Sequence, residues 1–221
     1  MTAVAAPTRT RTASPSLVAI AALLPVGPAA VAVLRLALPY YTADGTPATL
    51  AAVQAAPARQ SAVIWLTYAA ILTLVPGLFA AARVSRDAAP RLTAWALALS
   101  VPGYLSLGVL AGYDQLLYAI ATSKVSVAEG AAVLDAAHPT IDISIGVFVV
   151  GHVVGTVLLG LALLRSGRVP AWSAWAVTVS QPLHFLATVV LGSPQVDFVA
   201  WSLTTVGMAV VARALLTQVP R

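Results

Sequence analysis

Six long apolar stretches constrain the fold of this chain more than any other feature. They run over residues 17–38, 61–83, 92–120, 139–164, 171–191 and 196–217. Each is long enough for a transmembrane helix, which needs about 20 consecutive, mostly apolar residues. Only 9% of the residues are charged and 60% are hydrophobic, whereas soluble domains carry about 25% charged residues. The sequence therefore predicts an all-α protein, a polytopic membrane helix bundle with six transmembrane helices.

The basic residues predict the orientation of this bundle. Of the twelve Lys and Arg residues, nine lie in the N-terminal tail, the 83–91 loop, the 165–168 loop and the C-terminal end. The positive-inside rule then places both termini in the cytoplasm of a multi-pass cell-membrane protein. We expect one transmembrane domain over 17–217, with tails at 1–16 and 218–221. The net charge of +5 forms no basic stripe, so lipid is the expected partner and nucleic acid is not.

Two outer linkers carry the signals of short helices. Thr46 and Pro47 read as an N-cap followed by a proline at the first helical position, starting a helix that reaches about Ala56. Ser126 and Glu129 match a capping box at the start of a second helix. We expect two short amphipathic helices on the outer side. Lying on the membrane surface is favoured over covering a pocket.

The first span contains unusual residues for a transmembrane helix. Pro25 and Pro28 predict a break or kink near its middle. Arg35 lies near the outer end, where snorkelling to the headgroups is favoured over pairing with an outer aspartate. Tyr40 and Tyr41 fit an interfacial aromatic belt.

Two histidines, His152 and His184, lie near the middle of the fourth and fifth spans. Imidazoles at such depth are costly and need partners, so they are functional candidates. Counted from the span ends, the two lie within about one helical turn of the same depth. If the two helices are neighbours, the imidazoles meet. We therefore predict an outward-facing polar pocket with the histidine pair at its floor.

Other polar side chains are expected to line that pocket. Three aspartates lie towards the outer ends of spans and would ring the approach to the histidines. Gln181 shares a polar helical stripe with His184, Tyr118 lies one turn from Asp114, and Trp201 one turn from Asp197. The predicted ligand-binding or proton-relay residues are His152, His184, Asp114, Asp142, Asp197, Gln181, Tyr118 and Trp201. Gly151 and Gly155 predict close helix packing and are also compatible with a homo-oligomer.

Several functions are consistent with this pattern, and whether the chain is an enzyme stays open. The structural alternative is that the polar groups only join helices, each contributing below about 2 kcal/mol. We favour a protein that handles a small solute or ion, because carboxylates with histidines relay protons. The first alternative is an intramembrane enzyme acting on a lipid or isoprenoid-like substrate, although no known catalytic motif is present. The second is a haem b protein ligated by His152 and His184. No cofactor is the first expectation, and any metal would need the same two histidines.

The run from Gly151 to Ala187 resembles a group of bacterial six-span integral membrane proteins of uncharacterised function. The shared pattern is a mid-span Gly-His, a short basic turn with Val-Pro-x-Trp, and a Ser-x-Pro-Leu-His in the next span. The resemblance implies that the pair His152 and His184 is a feature of that group. It implies no activity, because none is assigned to the group.

Overall fold

The computed structural model describes residues 14–41 and 45–217, and all regular secondary structure within these ranges is helical. The predicted tails fall largely outside the described residues. The helices are α1 (Pro15–Ala37), α2 (Thr46–Ala55), α3 (Pro57–Ser85), α4 (Pro90–Ala121), α5 (Val127–Asp135), α6 (Thr140–Ser166), α7 (Ala171–Phe185) and α8 (Pro194–Thr217). A π-helical segment, Leu186–Leu191, continues α7.

Six of these helices are long and apolar enough to span a membrane: α1, α3, α4, α6, α7 with its π-helical segment, and α8. Their bounds agree with the six predicted spans to within a few residues. Prolines begin several of them, as expected where the missing N–H would be unpaired in any case. Helix α1 continues through Pro25 and Pro28, so there is no break, and the alternative of a kink stays a prediction.

Polarity in the bundle is the reverse of that in a soluble protein. The most exposed side chains include large apolar ones, such as Trp65 at 70% and Ile143 at 64%. Fully buried side chains include Gln60, His152 and Asp197. Apolar groups outside and polar groups inside suit a hydrocarbon solvent, where polar groups must find partners within the protein. The arrangement is compatible with an integral membrane protein.

The six spanning helices form a closed ring in the order of the chain. Helix α1 packs on α3, α3 on α4, α4 on α6, α6 on α7, α7 on α8, and α8 returns to α1. The ring makes α6 and α7 neighbours, as the hypothesis of a histidine pair requires. It also places the first and last spans side by side, so that α8 contacts both α7 and α1.

Glycines allow the closest helix contact, between α4 and α6. A Cβ added at Gly151 would lie 2.6 Å from the Leu99 carbonyl oxygen and 2.8 Å from the Gly103 Cα. A Cβ at Gly155 would overlap the hydroxyl of Ser100. Gly151 and Gly155 therefore pack helices inside the bundle, as predicted for small residues in membrane spans.

The two short helices, α2 and α5, pack against each other at one end of the bundle, called the cap end below. Leu50 and Val53 of α2 bury against Leu134 of α5 and against α4. The predicted capping box is confirmed: the Ser126 hydroxyl accepts from Glu129 N–H and the Glu129 carboxylate accepts from Ser126 N–H. The two helices therefore pack over this end of the bundle, and their expected place on the membrane surface stays a prediction.

Thr46 does not have its predicted role as N-cap of α2. Gly45 occupies that position, with φ of 89°, and Thr46 is the first helical residue. The Thr46 hydroxyl instead donates to the Asp135 carboxylate at the end of α5, 2.5 Å away. This bond fastens the two cap helices together.

The end opposite the cap, called the arginine end below, brings two basic loops together. Arg168, between α6 and α7, donates to the Asp87 carboxylate at 3.2 Å and to the Val84 carbonyl at 3.3 Å. Both loops therefore lie at the same end of the ring, as an even number of crossings between them requires.

Candidate functional site

The two mid-span histidines meet in the interior of the ring. The centroids of the His152 and His184 rings are 5.3 Å apart, with an angle of 49° between the ring planes. His152 is completely buried and His184 is 6% exposed. The prediction that these imidazoles lie at the same depth is confirmed. Their meeting follows from the packing of α6 against α7.

His184 is held by a carboxylate from the next helix. Its Nδ1 donates to Oδ1 of Asp197 at 2.5 Å, and Asp197 is fully buried. The Thr188 hydroxyl, in the π-helical segment after His184, lies 3.4 Å from Oδ2 of the same carboxylate. π-Helical turns often occur at functional sites. Asp197 therefore belongs to the floor with His184 and is not only on the approach.

Arg35 completes the charge balance around Asp197. Its Nε lies 3.2 Å from Asp197 Oδ2, and its side chain is only 16% exposed. Arg35 therefore pairs inward with an aspartate and does not snorkel to the headgroups, which corrects the favoured expectation. The physical reason is the closed ring, which places the end of α1 beside the start of α8. A buried carboxylate there lowers the cost of a guanidinium more than distant headgroups do.

The two tyrosines after α1 also donate hydrogen bonds into the bundle, and their place in an interfacial belt stays a prediction. The Tyr41 hydroxyl donates to Asp197 Oδ2 at 2.8 Å, and the Tyr40 hydroxyl donates to Asp114 Oδ1 at 3.2 Å. Burial raises the pKa of Tyr41 to about 12. Burial, and then the adjacent Asp114 carboxylate, raises the pKa of Tyr40. Both hydroxyls therefore remain donors at physiological pH.

Aromatic rings surround His152. Phe148 stacks on it with centroids 4.2 Å apart, and Trp201 stacks with centroids 5.9 Å apart. Nδ1 of His152 lies 2.5 Å from the Phe148 carbonyl oxygen, which can only accept, so Nδ1 carries a proton. The other nitrogen, Nε2, is buried and makes no hydrogen bond to the described residues, as is true of Trp201 Nε1. Such unpaired buried groups are rare and point to function.

A cavity of about 300 Å³ lies next to these residues, towards the cap end, because Tyr40 and Tyr113 both line it and pack against the apolar cluster of the cap. Its wall is mostly aliphatic, and its polar members are Arg35, Tyr40, Tyr41, Thr67, Tyr113 and Asp114. Phe148 and Trp201 line the cavity, but neither histidine does. The expected pocket is therefore corrected in two respects. It is an apolar chamber with a few polar groups, and the histidines lie behind an aromatic layer.

Asp114 belongs to this cavity and not to the histidine pair. Its Oδ1 accepts from Tyr40 and from Gln60 Nε2, both at 3.2 Å. Gln60 is fully buried at the start of α3. The predicted position of Asp114 inside the outer part of its span is consistent with this burial. Its partners come from two other segments of the chain.

Three predicted residues are not brought to the site. Asp142 is exposed and borders a separate depression with Asp135 and His138. The first turn of α6 places Ile141 and Ile145 at the cavity and leaves Asp142 exposed. The Gln181 side-chain amide donates to the Thr204 hydroxyl, about one helical turn before His184 on α7. Tyr118 does not line the cavity.

The predicted set omitted four residues that contact Asp114 or Asp197: Arg35, Tyr40, Tyr41 and Gln60. A charge inside an apolar span was a signal for Arg35, but its partner depends on which helices are neighbours. Nothing in the local sequence distinguishes Tyr41 from an interfacial tyrosine. Gln60 lies at the start of a span, where polar residues are ordinary.

The two imidazoles do not fit haem in this arrangement. Ligation from opposite sides of an iron needs a porphyrin plane between the rings, whereas here the rings contact each other and Trp201. Within residues 14–41 and 45–217, no group of three or more His, Cys, Asp or Glu side chains is arranged to hold a metal. Haem b stays a prediction. A Soret band in the purified protein that disappears in His152→Ala would establish it and require the helices to separate.

Comparison with known proteins adds no relative. No protein-family model, curated protein or solved structure matches this chain.

Proposed function

We propose that this protein is a cell-membrane protein that binds a small solute in the cavity beneath the cap and handles it across the bilayer. The observation that supports this best is the cavity of about 300 Å³ inside the ring, with Arg35 and Asp114 on an otherwise largely apolar wall. Small-molecule sites are typically concave and apolar with a few convergent polar groups. Charged residues inside membrane spans commonly mark solute pathways.

The proposed orientation has the cap end outside the cell and both termini in the cytoplasm. The support is the distribution of charge: Arg83, Arg86, Arg91, Arg165 and Arg168 lie at or near the arginine end. Basic residues in short loops favour the cytoplasmic side. A solute would then enter the cavity from the outside, past α2 and α5.

We assign a proton-relay role to the cluster beneath the cavity. Asp197 contacts Tyr41, a cavity residue, through one carboxylate oxygen and His184 through the other. Carboxylates and histidines inside membrane spans commonly form proton relays, and the His152 ring lies next to the His184 ring. A proton gained or lost at His184 would change the charge next to Arg35, which pairs with the same carboxylate.

Trp201 provides a direct test, because it is fully buried and lines the cavity. The other four tryptophans are 48–70% exposed: Trp65, Trp95, Trp172 and Trp175. Replacing these four by Phe leaves Trp201 as the single indole fluorophore. Native mass spectrometry of the detergent-purified protein identifies a co-purified solute, and that solute should then change the fluorescence of Trp201 saturably.

A cavity-filling variant controls for non-specific effects. Ala70 lines the cavity, so Ala70→Leu should abolish the fluorescence response. Ala62→Leu, on an exposed face of the same helix, should leave the response unchanged. A fluorescence response that persists in Ala70→Leu would contradict the proposal. So would a purified protein that contains no bound solute and shows no fluorescence response.

A further inference from the structure

Arg35 lines the cavity and has donors that no described protein group uses. A guanidinium carries five N–H donors in a fixed fork. Only Nε approaches a partner, Asp197 at 3.2 Å. The terminal nitrogens make no hydrogen bond to any residue in 14–41 or 45–217, and the side chain lines the cavity. Such a fork matches a carboxylate in two parallel hydrogen bonds.

Asp114 provides the complementary group. Tyr40 and Gln60 both donate to Oδ1. The second oxygen, Oδ2, accepts no hydrogen bond from the part of the chain that the structure describes, and Asp114 lines the same cavity. An ionised carboxylate accepts at both oxygens, so Oδ2 is left for a donor from a ligand.

Arg35 and Asp114 do not neutralise each other directly. Among the described residues, no ion pair within 4.0 Å joins them. The cavity therefore presents the terminal donors of a guanidinium whose Nε already pairs with Asp197, and one unused anionic oxygen of Asp114. A ligand with a separated anionic and cationic group can pair with both. A ligand with only one charged group would leave the other polar group of the wall without a partner, which is costly in a low-dielectric interior.

We propose that the solute is a small amino carboxylate with an apolar side chain, its carboxylate on Arg35 and its ammonium on Asp114. This inference rests on the proposed function, in that it names the class of solute for the same cavity. The aliphatic residues of the wall, such as Val63, Leu107 and Leu110, receive the side chain. The cavity of about 300 Å³ lies at the lower end of small-molecule sites, which suits a single small solute.

Three matched probes test this assignment on the unaltered cavity. L-leucine carries both charges, 4-methylpentanoate carries only the carboxylate, and 3-methylbutylamine carries only the ammonium. Titrated against the single-Trp201 protein, L-leucine should bind at least about tenfold more tightly than either analogue, since a tenfold ratio needs only about 1.4 kcal/mol of discrimination. Equal affinity for leucine and 4-methylpentanoate would overturn the role of Asp114.

Variants then assign the charges to residues. Asp114→Asn should remove the preference for leucine over 4-methylpentanoate, whereas Asp142→Asn, an exposed aspartate outside the cavity, should keep it. Arg35→Lys keeps the positive charge but loses the fork, and should weaken leucine at least about tenfold. If Asp114→Asn does not fold, the comparison of probes on the unaltered cavity still decides.

The two proposals fail differently. One outcome is that none of the three probes binds, but a co-purified solute changes the Trp201 fluorescence and Ala70→Leu abolishes this change. The amino carboxylate assignment is then wrong and solute binding stands. If no probe binds and no co-purified solute is found, both are wrong.

Discussion

At the scale of single residues, the centre of this protein is one carboxylate shared by several partners. Asp197 contacts His184, Arg35 and Tyr41, which come from three different segments. A buried ion pair is only weak evidence for stability, since replacing both partners by apolar groups is often neutral. Removing one partner is different, because the other charge is left unpaired in a low-dielectric interior.

We expect Asp197→Asn to lower the free energy of unfolding by about 3–5 kcal/mol, because Arg35 and His184 lose their anionic partner. The measurement is SDS-induced unfolding in mixed micelles. The double variant Arg35→Leu with Asp197→Leu should recover most of that loss. Asp142→Asn, on an exposed aspartate, should change stability by less than about 0.5 kcal/mol. If Asp197→Asn leaves the free energy of unfolding unchanged, removing the anionic partner of Arg35 and His184 carries no energetic cost.

At the scale of helices, glycine contacts set the distances between neighbours. Gly151 and Gly103 allow the backbones of α4 and α6 to come into contact, and His152 follows Gly151 directly in the chain. The start of α5 was also predictable, because its cap is local, whereas the predicted N-cap of α2 was one residue off. The Ser126 capping box depends on residues only three positions apart, so it was read correctly from the sequence.

We expect Gly151→Ala to destabilise the bundle by about 1–3 kcal/mol, because the added Cβ meets backbone atoms that cannot rotate away. Gly146→Ala, on the same helix, is the matched control, since a Cβ there has nothing within 4 Å. It should be neutral or slightly stabilising, because Ala has the higher helix propensity. The same unfolding assay compares them, and equal effects would argue against close packing of α4 on α6.

At the scale of the whole molecule, the ring and its cap give the protein two different ends. The arginine end carries the basic loops, and the cavity lies towards the cap end. If the proposed orientation is correct, the cavity faces the outside of the cell.

Reporter fusions at three positions test that orientation. Alkaline phosphatase, which is active only outside the cytoplasm, should be active when fused at Gly45 at the cap end. It should be inactive at Asp87 and Gly167, in the two loops at the arginine end, because basic loops are retained in the cytoplasm. Activity at Asp87 or Gly167 would reverse the orientation and place the cavity towards the cytoplasm.

The sequence alone determined that the fold is all-helical and where its six long apolar helices lie. A helix that crosses the hydrocarbon core needs about 20 apolar residues. Each span can therefore be recognised from its own residues, without knowledge of its neighbours. The depth of His152 and His184 was likewise predictable, because the helical rise converts residue number into depth.

Only the tertiary structure decided which polar groups meet. Arg35, Tyr41 and Gln60 entered the site, and Asp142 and Gln181 left it, because the order of helices around the ring brings distant segments together. The pattern of polar and apolar residues within one helix does not determine which helix packs beside it. It also does not determine where a side chain at the end of that helix points. The physical reason is that partners of a buried charge are chosen by packing between helices, which no local sequence pattern records.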